Sequence, residues 1–234
     1  MNFRLIDKKI KYFVYRNLRK VNYLYFEDFY NKNDFRFFES NSQLSQDFLC
    51  ALVSDFKTQG TFIEFGATNG IDLSNTYSLT KYLNWKGFLV EPINSYFELL
   101  KINRPESICY NRLVYNESNI EKVFYENDEL SISSLNKSKN SKQTIVKTIS
   151  LNDIFKLNNL KHVDYLSIDT EGSEYLILKS FDFDKYSFNF LTVEHNYNII
   201  KRFKIYNLLI KNGYKRIHKS FSFWDDFYIK DIPN

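Results

Sequence analysis

Proline and glycine are scarce in this chain, 3 and 6 residues among 234. Collagen-like, low-complexity and loop-dominated architectures are thereby excluded. The 2 cysteines, Cys50 and Cys109, fit no C-x-x-C or metal-ligand spacing, so they read as buried apolar side chains and not as a disulfide framework. No apolar run approaches the roughly 18 residues needed to cross a bilayer, and residues 1–20 are too charged for a secretory signal. A transmembrane segment is not expected, and a reducing cytoplasm is. There is also no long block of one charge sign: the net charge of +4 is spread along the chain and gives no argument by itself for a nucleic-acid partner, and none is expected.

What remains is a chain 44% hydrophobic and 18% aromatic, enough for the core of one large domain. Residues 1–44 differ from the rest, being basic, aromatic and free of glycine. Ile10, Phe13, Val14, Leu18 and Val21 fall at helical spacing there, which predicts an N-terminal helical extension. Its stripe suits packing on the core or on a second copy in a homo-oligomer. Peripheral membrane contact through the same helix is the alternative.

From residue 45 to 234 strands and helices alternate, which predicts one α/β domain with a mainly parallel sheet covered on both faces. Helices are expected over 45–57, 72–84, 95–103, 151–157, 173–180 and 199–211, with Ser150 as a cap and Asn212-Gly213 as a stop. Strands are expected over 61–65, 87–90, 107–110, 112–115, 122–125, 144–149, 163–168, 190–193, 214–218 and 227–230, the last two as an antiparallel hairpin. The polar stretch 127–142 reads as a lid.

Residues 61–91 carry the chemistry. The strand Thr61 to Phe65 runs into Gly66-Ala67-Thr68-Asn69-Gly70, where glycines permit positive φ and close backbone approach. A helix follows, and a second strand ends at Glu91, whose carboxylate can accept hydrogen bonds from both hydroxyls of a ribose. A pyrophosphate binder would need G-x-G-x-x-G over bare amides. Here Thr68 replaces the middle glycine and Glu64 precedes the turn, so the charge suits a cationic ligand. S-adenosylmethionine, with its ammonium and sulfonium, fits that pattern better than a dinucleotide.

A second acidic group follows two later strands: Asp169-Thr170-Glu171-Gly172-Ser173-Glu174 after Ile168, and Glu194-His195 after Val193. Both lie at the carboxyl ends of parallel strands, the rim where open α/β sheets bind ligands. Gly172 and Glu174 could equally serve the turn and the first turn of the next helix, whereas Asp169, Glu171 and His195 are the functional candidates.

Taken together these motifs resemble the FkbM family of S-adenosylmethionine-dependent methyltransferases. They run from Ser45-Gln46-Asp47 through Phe62 to Gly70, Leu73 to Thr76, Trp85-Lys86-Gly87, Glu91-Pro92, Ile168 to Glu174, Val193-Glu194-His195 and Asp226-Phe227-Tyr228. The resemblance implies a class I methyltransferase (Rossmann-like) seven-stranded sheet with one antiparallel strand, and O-methylation of a sugar, glycan or related small molecule. It implies that Glu64, Gly66 and Gly70 hold the methionine end of the donor, with Ala67, Thr68 and Asn75 in the same site. Glu91, beside Pro92, would take the ribose, and Asn111 and Arg112 would lie near the adenine. Asn111-Arg112-Leu113 departs from the small residues usual in the family. Asp169, Glu171 and His195 would face the acceptor, with Asp169 as first candidate base and His195 as second; alternatively Asp169 with Glu171 or His195 would hold a divalent metal.

Two other classes compete. Asp182-Phe183-Asp184 spells the D-x-D of a metal-dependent glycosyltransferase using a nucleotide sugar, but it follows a helix instead of a rim strand. A non-catalytic cofactor-binding or assembly module is the other. An RNA or DNA methyltransferase is disfavoured, because the N/D-P-P-aromatic motif of amino-methylating enzymes is absent and an acidic rim repels phosphates.

Overall fold

A computed structural model describes residues 38–126, 142–170, 172–219 and 222–231. The expected helix over 10–21 and most of the expected lid lie outside these residues. The elements are α1 Gln46–Val53, β1 Thr61–Phe65, α2 Tyr77–Leu83, β2 Lys86–Val90, α3 Asn94–Asn103, β3 Ile108–Tyr110, β4 Leu113–Tyr115 and β5 Glu121–Glu126. They continue with β6 Lys142–Ser150, α4 Leu151–Leu157, β7 His162–Ile168, α5 Glu174–Ser180, β8 Ser187–Glu194, α6 Ile199–Lys211, β9 Tyr214–Ile217 and β10 Asp225–Lys230.

Seven strands form the main sheet in the order β3-β2-β1-β7-β8-β10-β9. All neighbours are parallel except β10, which runs antiparallel to both β8 and β9. This is the seven-stranded, mainly parallel class I methyltransferase sheet with one antiparallel strand. A smaller sheet, β4-β6-β5, stands beside it.

Alternation along β1 shows how the sheet is buried on both faces. Phe62 packs with Phe48, Leu79, Leu89, Leu100 and Tyr165 under α1, α2 and α3. Ile63 and Phe65 point the other way, into the cluster of Ile154, Phe155, Ile177, Leu178, Ile205 and Leu209 from α4, α5 and α6. Glu64 shares the face of Phe62, which aims its carboxylate at the start of α2.

Two local starts were set by side chains close in sequence. Ser150 Oγ accepts the Asp153 N–H at 3.1 Å and opens α4, and Asn198 Oδ1 accepts the Lys201 N–H at 3.0 Å and opens α6. α2 differs from expectation, starting at Tyr77 and not at Asp72, because Ser74, Asn75 and Thr76 are drawn to the Glu64 carboxylate. Residues 38–44 are packed onto the domain: Phe38 is buried with its ring 5.4 Å from that of Tyr82, and Asp47 accepts hydrogen bonds from Ser40 Oγ and the Asn41 N–H. Both cysteines are free thiols.

Candidate active site

The glycine-turn side of the rim is built on β1, β2 and the turn between β1 and α2. Gly66 and Gly70 have φ of 73° and 80°, and Thr68 is also left-handed at 46°. A Cβ on Gly66 would fall 2.4 Å from the Asp169 carbonyl oxygen. The turn after β1 therefore lies directly against the first residue after β7, so the two acidic motifs of the sequence share one rim.

Glu64 is buried, and its oxygens are occupied from within the protein. Oε1 accepts the Asn75 N–H at 2.7 Å, and Oε2 accepts from Ser74 Oγ at 2.9 Å and from Thr76 Oγ1. Burial raises its pKa, opposed by the charge of Arg104 and by these hydrogen bonds. Arg104, 1% exposed, reaches in from the end of α3 and donates to the Gly70 carbonyl at 3.1 Å and to Thr80 Oγ1 at 2.8 Å. Glu64 and Arg104 thus brace the glycine turn from below through the hydroxyls of Ser74 and Thr76. Arg104 was missed by the sequence reading, because no motif marks an arginine at a helix end.

Glu91 follows β2 and is buried as well. Its Oε2 accepts the Thr68 N–H at 2.9 Å and Oε1 the Ile93 N–H at 2.8 Å, tying the turn after β1 to the end of β2. Burial pushes its carboxyl up to about 7, against the lowering effect of these amides. No ion pair reaches it among the described residues. Asn111 donates through Nδ2 to the Glu91 and Pro92 carbonyls at 3.0 and 3.2 Å, and Arg112 donates to the Asn111 carbonyl at 2.8 Å. Beside them Ile93 packs with Leu113, Phe124 and Val146, which seats the small sheet against this end of the site.

Asn75 donates through Nδ2 to Ser167 Oγ at 2.8 Å, but its buried Oδ1 has no hydrogen-bond partner. An orphaned acceptor beside a glycine turn, together with a carboxylate that lacks a counter-cation, fits a ligand that carries an ammonium and vicinal hydroxyls. The residues fit S-adenosylmethionine.

The other side of the rim is built on the ends of β7 and β8 and the start of β10. Asp169 is half-buried on the rim. Glu174 is fully buried: Oε1 accepts the Gly172 N–H at 2.9 Å, and Oε2 pairs with Lys201 Nζ at 2.9 Å. It shapes the turn after β7, as the first-turn reading allowed. Asp225, opposite Glu194 in the β8–β10 register, accepts from Gln46 Nε2 at 2.7 Å. Burial pushes its carboxyl up to about 7. Asp225 and its partner are 179 positions apart, so nothing local announced the pair.

His195 does not line the rim as an exposed base. It is 1% exposed, its Nδ1 accepts the Tyr197 N–H at 3.1 Å, and its Nε2 lies 3.9 Å from Asp226 Oδ1. Burial lowers its pKa to about 4 despite Asp226. Asp226 itself is taken by Arg202, through bonds of 2.9 and 2.7 Å, and by Arg216 at 3.4 Å.

The described residues give the divalent-metal expectation no support. Among the described residues no group of three or more His, Cys, Asp and Glu side chains could hold a metal ion. Nδ1 of His195 is engaged by the Tyr197 backbone amide, and Glu171 lies outside the described residues. Asp182 of the D-x-D spelling pairs with Lys185 at 2.7 Å in the turn after α5, so it serves that turn.

A seven-stranded sheet of this order, with a glycine turn and acidic residues at its carboxyl edge, defines a class I, S-adenosylmethionine-dependent methyltransferase. Residues 64–228 match the model of the Methyltransferase FkbM domain, and the chain belongs to that family. No curated protein matches the chain in sequence. Among solved structures it is similar to the precorrin-6y C5,15-methyltransferase of Geobacter metallireducens, with 10% identity and a TM-score of 0.46 over 80% of this chain and 87% of that one. It is also similar to the ribosomal protein L11 methylase of Lactobacillus delbrueckii subsp. bulgaricus, with 9% identity and a TM-score of 0.44 over 80% and 78%. Aeropyrum pernix fibrillarin, solved with natively bound S-adenosyl-L-methionine, gives 12% identity and a TM-score of 0.41 over 80% and 73%.

Proposed function

We propose that this methyltransferase acts on a hydroxyl of a sugar, glycan or related small molecule, with the donor over the turn 66–70 and the acceptor beside Asp169. The supporting observation is the close approach of Gly66 to the Asp169 carbonyl. It brings the residue that carries the candidate base against the glycine turn, which supports an acceptor oxygen held beside the donor. When bound, S-adenosylmethionine supplies an electrophilic methyl on a cationic sulfur. The proton of the acceptor hydroxyl would pass to a base on the protein.

Methyl transfer rests chiefly on alignment and exclusion of water. In this reading Glu64 and Arg104 act indirectly by fixing the turn, Glu91 receives the ribose hydroxyls, and Asn75 Oδ1 receives a donor from the methionine end. Ala67, Thr68 and Gly70 contribute backbone, while Pro92, Asn111 and Arg112 border the adenine end. Asp169 takes the proton, an effect typically worth about 10²- to 10⁴-fold. Glu171 stands two residues further along the chain, and His195 holds the loop after β8.

The acidic rim favours a neutral hydroxyl acceptor over a polyphosphate. Mass spectrometry of glycans from cells with and without the gene tests this: the reading expects the loss of one methylene per modified hydroxyl. Unchanged glycans with lost methylation in RNA or protein would overturn the acceptor assignment.

A further inference from the structure

The outer face of α6 is apolar. Ile199, Ile200 and Phe203 are 81%, 71% and 64% exposed, and Ile210 follows further along the same face at 40%. The inner face is separately satisfied, with Ile205 and Leu209 buried in the core. A helix apolar on both faces has one face more than folding uses.

Its charge is as one-sided as its hydropathy. The sequence IIKRFKIYNLLIK holds four basic residues and no acidic one. Lys201 and Arg202 turn inward and are neutralised by Glu174 and Asp226. Lys204 and Lys211 remain exposed among the outer apolar side chains. Exposed Ile and Phe interleaved with lysine is the composition of a helix that lies in a lipid interface, where apolar groups enter the acyl boundary and ammonium groups meet anionic head groups. No helix among the described residues is long and apolar enough to cross a membrane, so any contact of this kind is peripheral.

We propose that the outer face of α6 seats the protein on a membrane surface bearing anionic head groups. α6 begins one turn beyond Glu194, so docking there brings the rim of β7 and β8 to that surface. The acceptor hydroxyl would then be one carried by a lipid head group. That consequence rests on the glycan reading above, whereas the docking does not.

The test is co-sedimentation of the full chain with vesicles of phosphatidylcholine alone and of phosphatidylcholine mixed with phosphatidylglycerol. The expected result is binding to the anionic vesicles, weakened by salt, and weakened about tenfold or more by Ile200→Glu with Phe203→Glu. Lys204→Gln with Lys211→Gln should weaken it less and remove most of the salt dependence. Retained binding of S-adenosylhomocysteine shows that each variant is folded. If the glutamate pair fails to fold, the lysine pair alone decides the matter. Absence of vesicle binding, or binding that none of these substitutions changes, overturns the proposal. So does a wild-type dimer that the glutamate pair makes monomeric, since the face would then belong to a second copy. Methyl transfer is not needed for any arm, so a wrong acceptor and a wrong docking surface give different results.

Discussion

The two halves of the rim hold their buried carboxylates differently. On the donor side Glu91 is held only by the Thr68 and Ile93 amides, and Glu64 by an amide and two hydroxyls, with Arg104 one layer further away. Across the rim Glu174 is paired with Lys201 and Asp226 with Arg202 and Arg216, while Asp225 is held by the neutral Gln46 amide. Neutral dipoles can be shared with an incoming cation, whereas an ion pair has already been neutralised. In the proposed assignment the half that would receive a cationic donor leaves Glu64 and Glu91 without a direct ion pair, whereas the half that anchors α5, α6 and β9 commits Glu174 and Asp226 to ion pairs.

Removing Asp226 should break the second half most severely. Asp226→Ala leaves Arg202 and Arg216 without their shared carboxylate, and urea unfolding should show a loss of about 3 kcal/mol. An unchanged midpoint would mean that the cations do not hold this half together. Gly66→Ala challenges the junction between the halves. The left-handed φ and the 2.4 Å approach to the Asp169 carbonyl leave no room for a methyl group, so about 2 kcal/mol of strain is expected. Donor affinity measured by calorimetry should fall with it.

Glu91 tests the first half through pH. A carboxyl raised to about 7 is largely protonated at pH 6 in the free protein and ionised at pH 8. The ionised form is the better acceptor for ribose hydroxyls, so donor affinity should rise about tenfold over that interval. Stability should move oppositely. Glu91 and Asp225 keep their protons to about pH 7 when folded but release them near 4.5 and 3.8 when unfolded. Their contribution is full below the unfolded values and is lost as pH rises to about 7, which thermal melts across that window would register. The smallest effect belongs to His195: His195→Asn should cost about 1 kcal/mol, the worth of one hydrogen bond, without shifting the pH profile of transfer. A shifted profile would return the imidazole to the catalytic machinery.

Much of this arrangement was legible in the chain, and the parts that were not share one cause. α4 and α6 begin and end at 151–157 and 199–211 as read, because Ser150 and Asn198 cap them locally. The turn 66–70 was legible from its glycines, and Glu91 from its place after an apolar strand. The start of α2 was misplaced because Glu64 captures residues 74–76 across a tertiary contact. Asp225 read as loop, although it begins β10, since its pairing to β8 and its bond to Gln46 are both non-local. For His195, rarity and position were visible in sequence, but its burial against Asp226 was not.

The most direct test of the two-part rim is calorimetric titration of S-adenosylmethionine into the wild type and Glu91→Gln, each at pH 6 and pH 8. Glu91 should give wild-type affinity that rises about tenfold with pH, and the variant should bind weakly with no such rise. Equal affinities for the two proteins, or a pH rise that survives in Glu91→Gln, would contradict the assignment of the donor half.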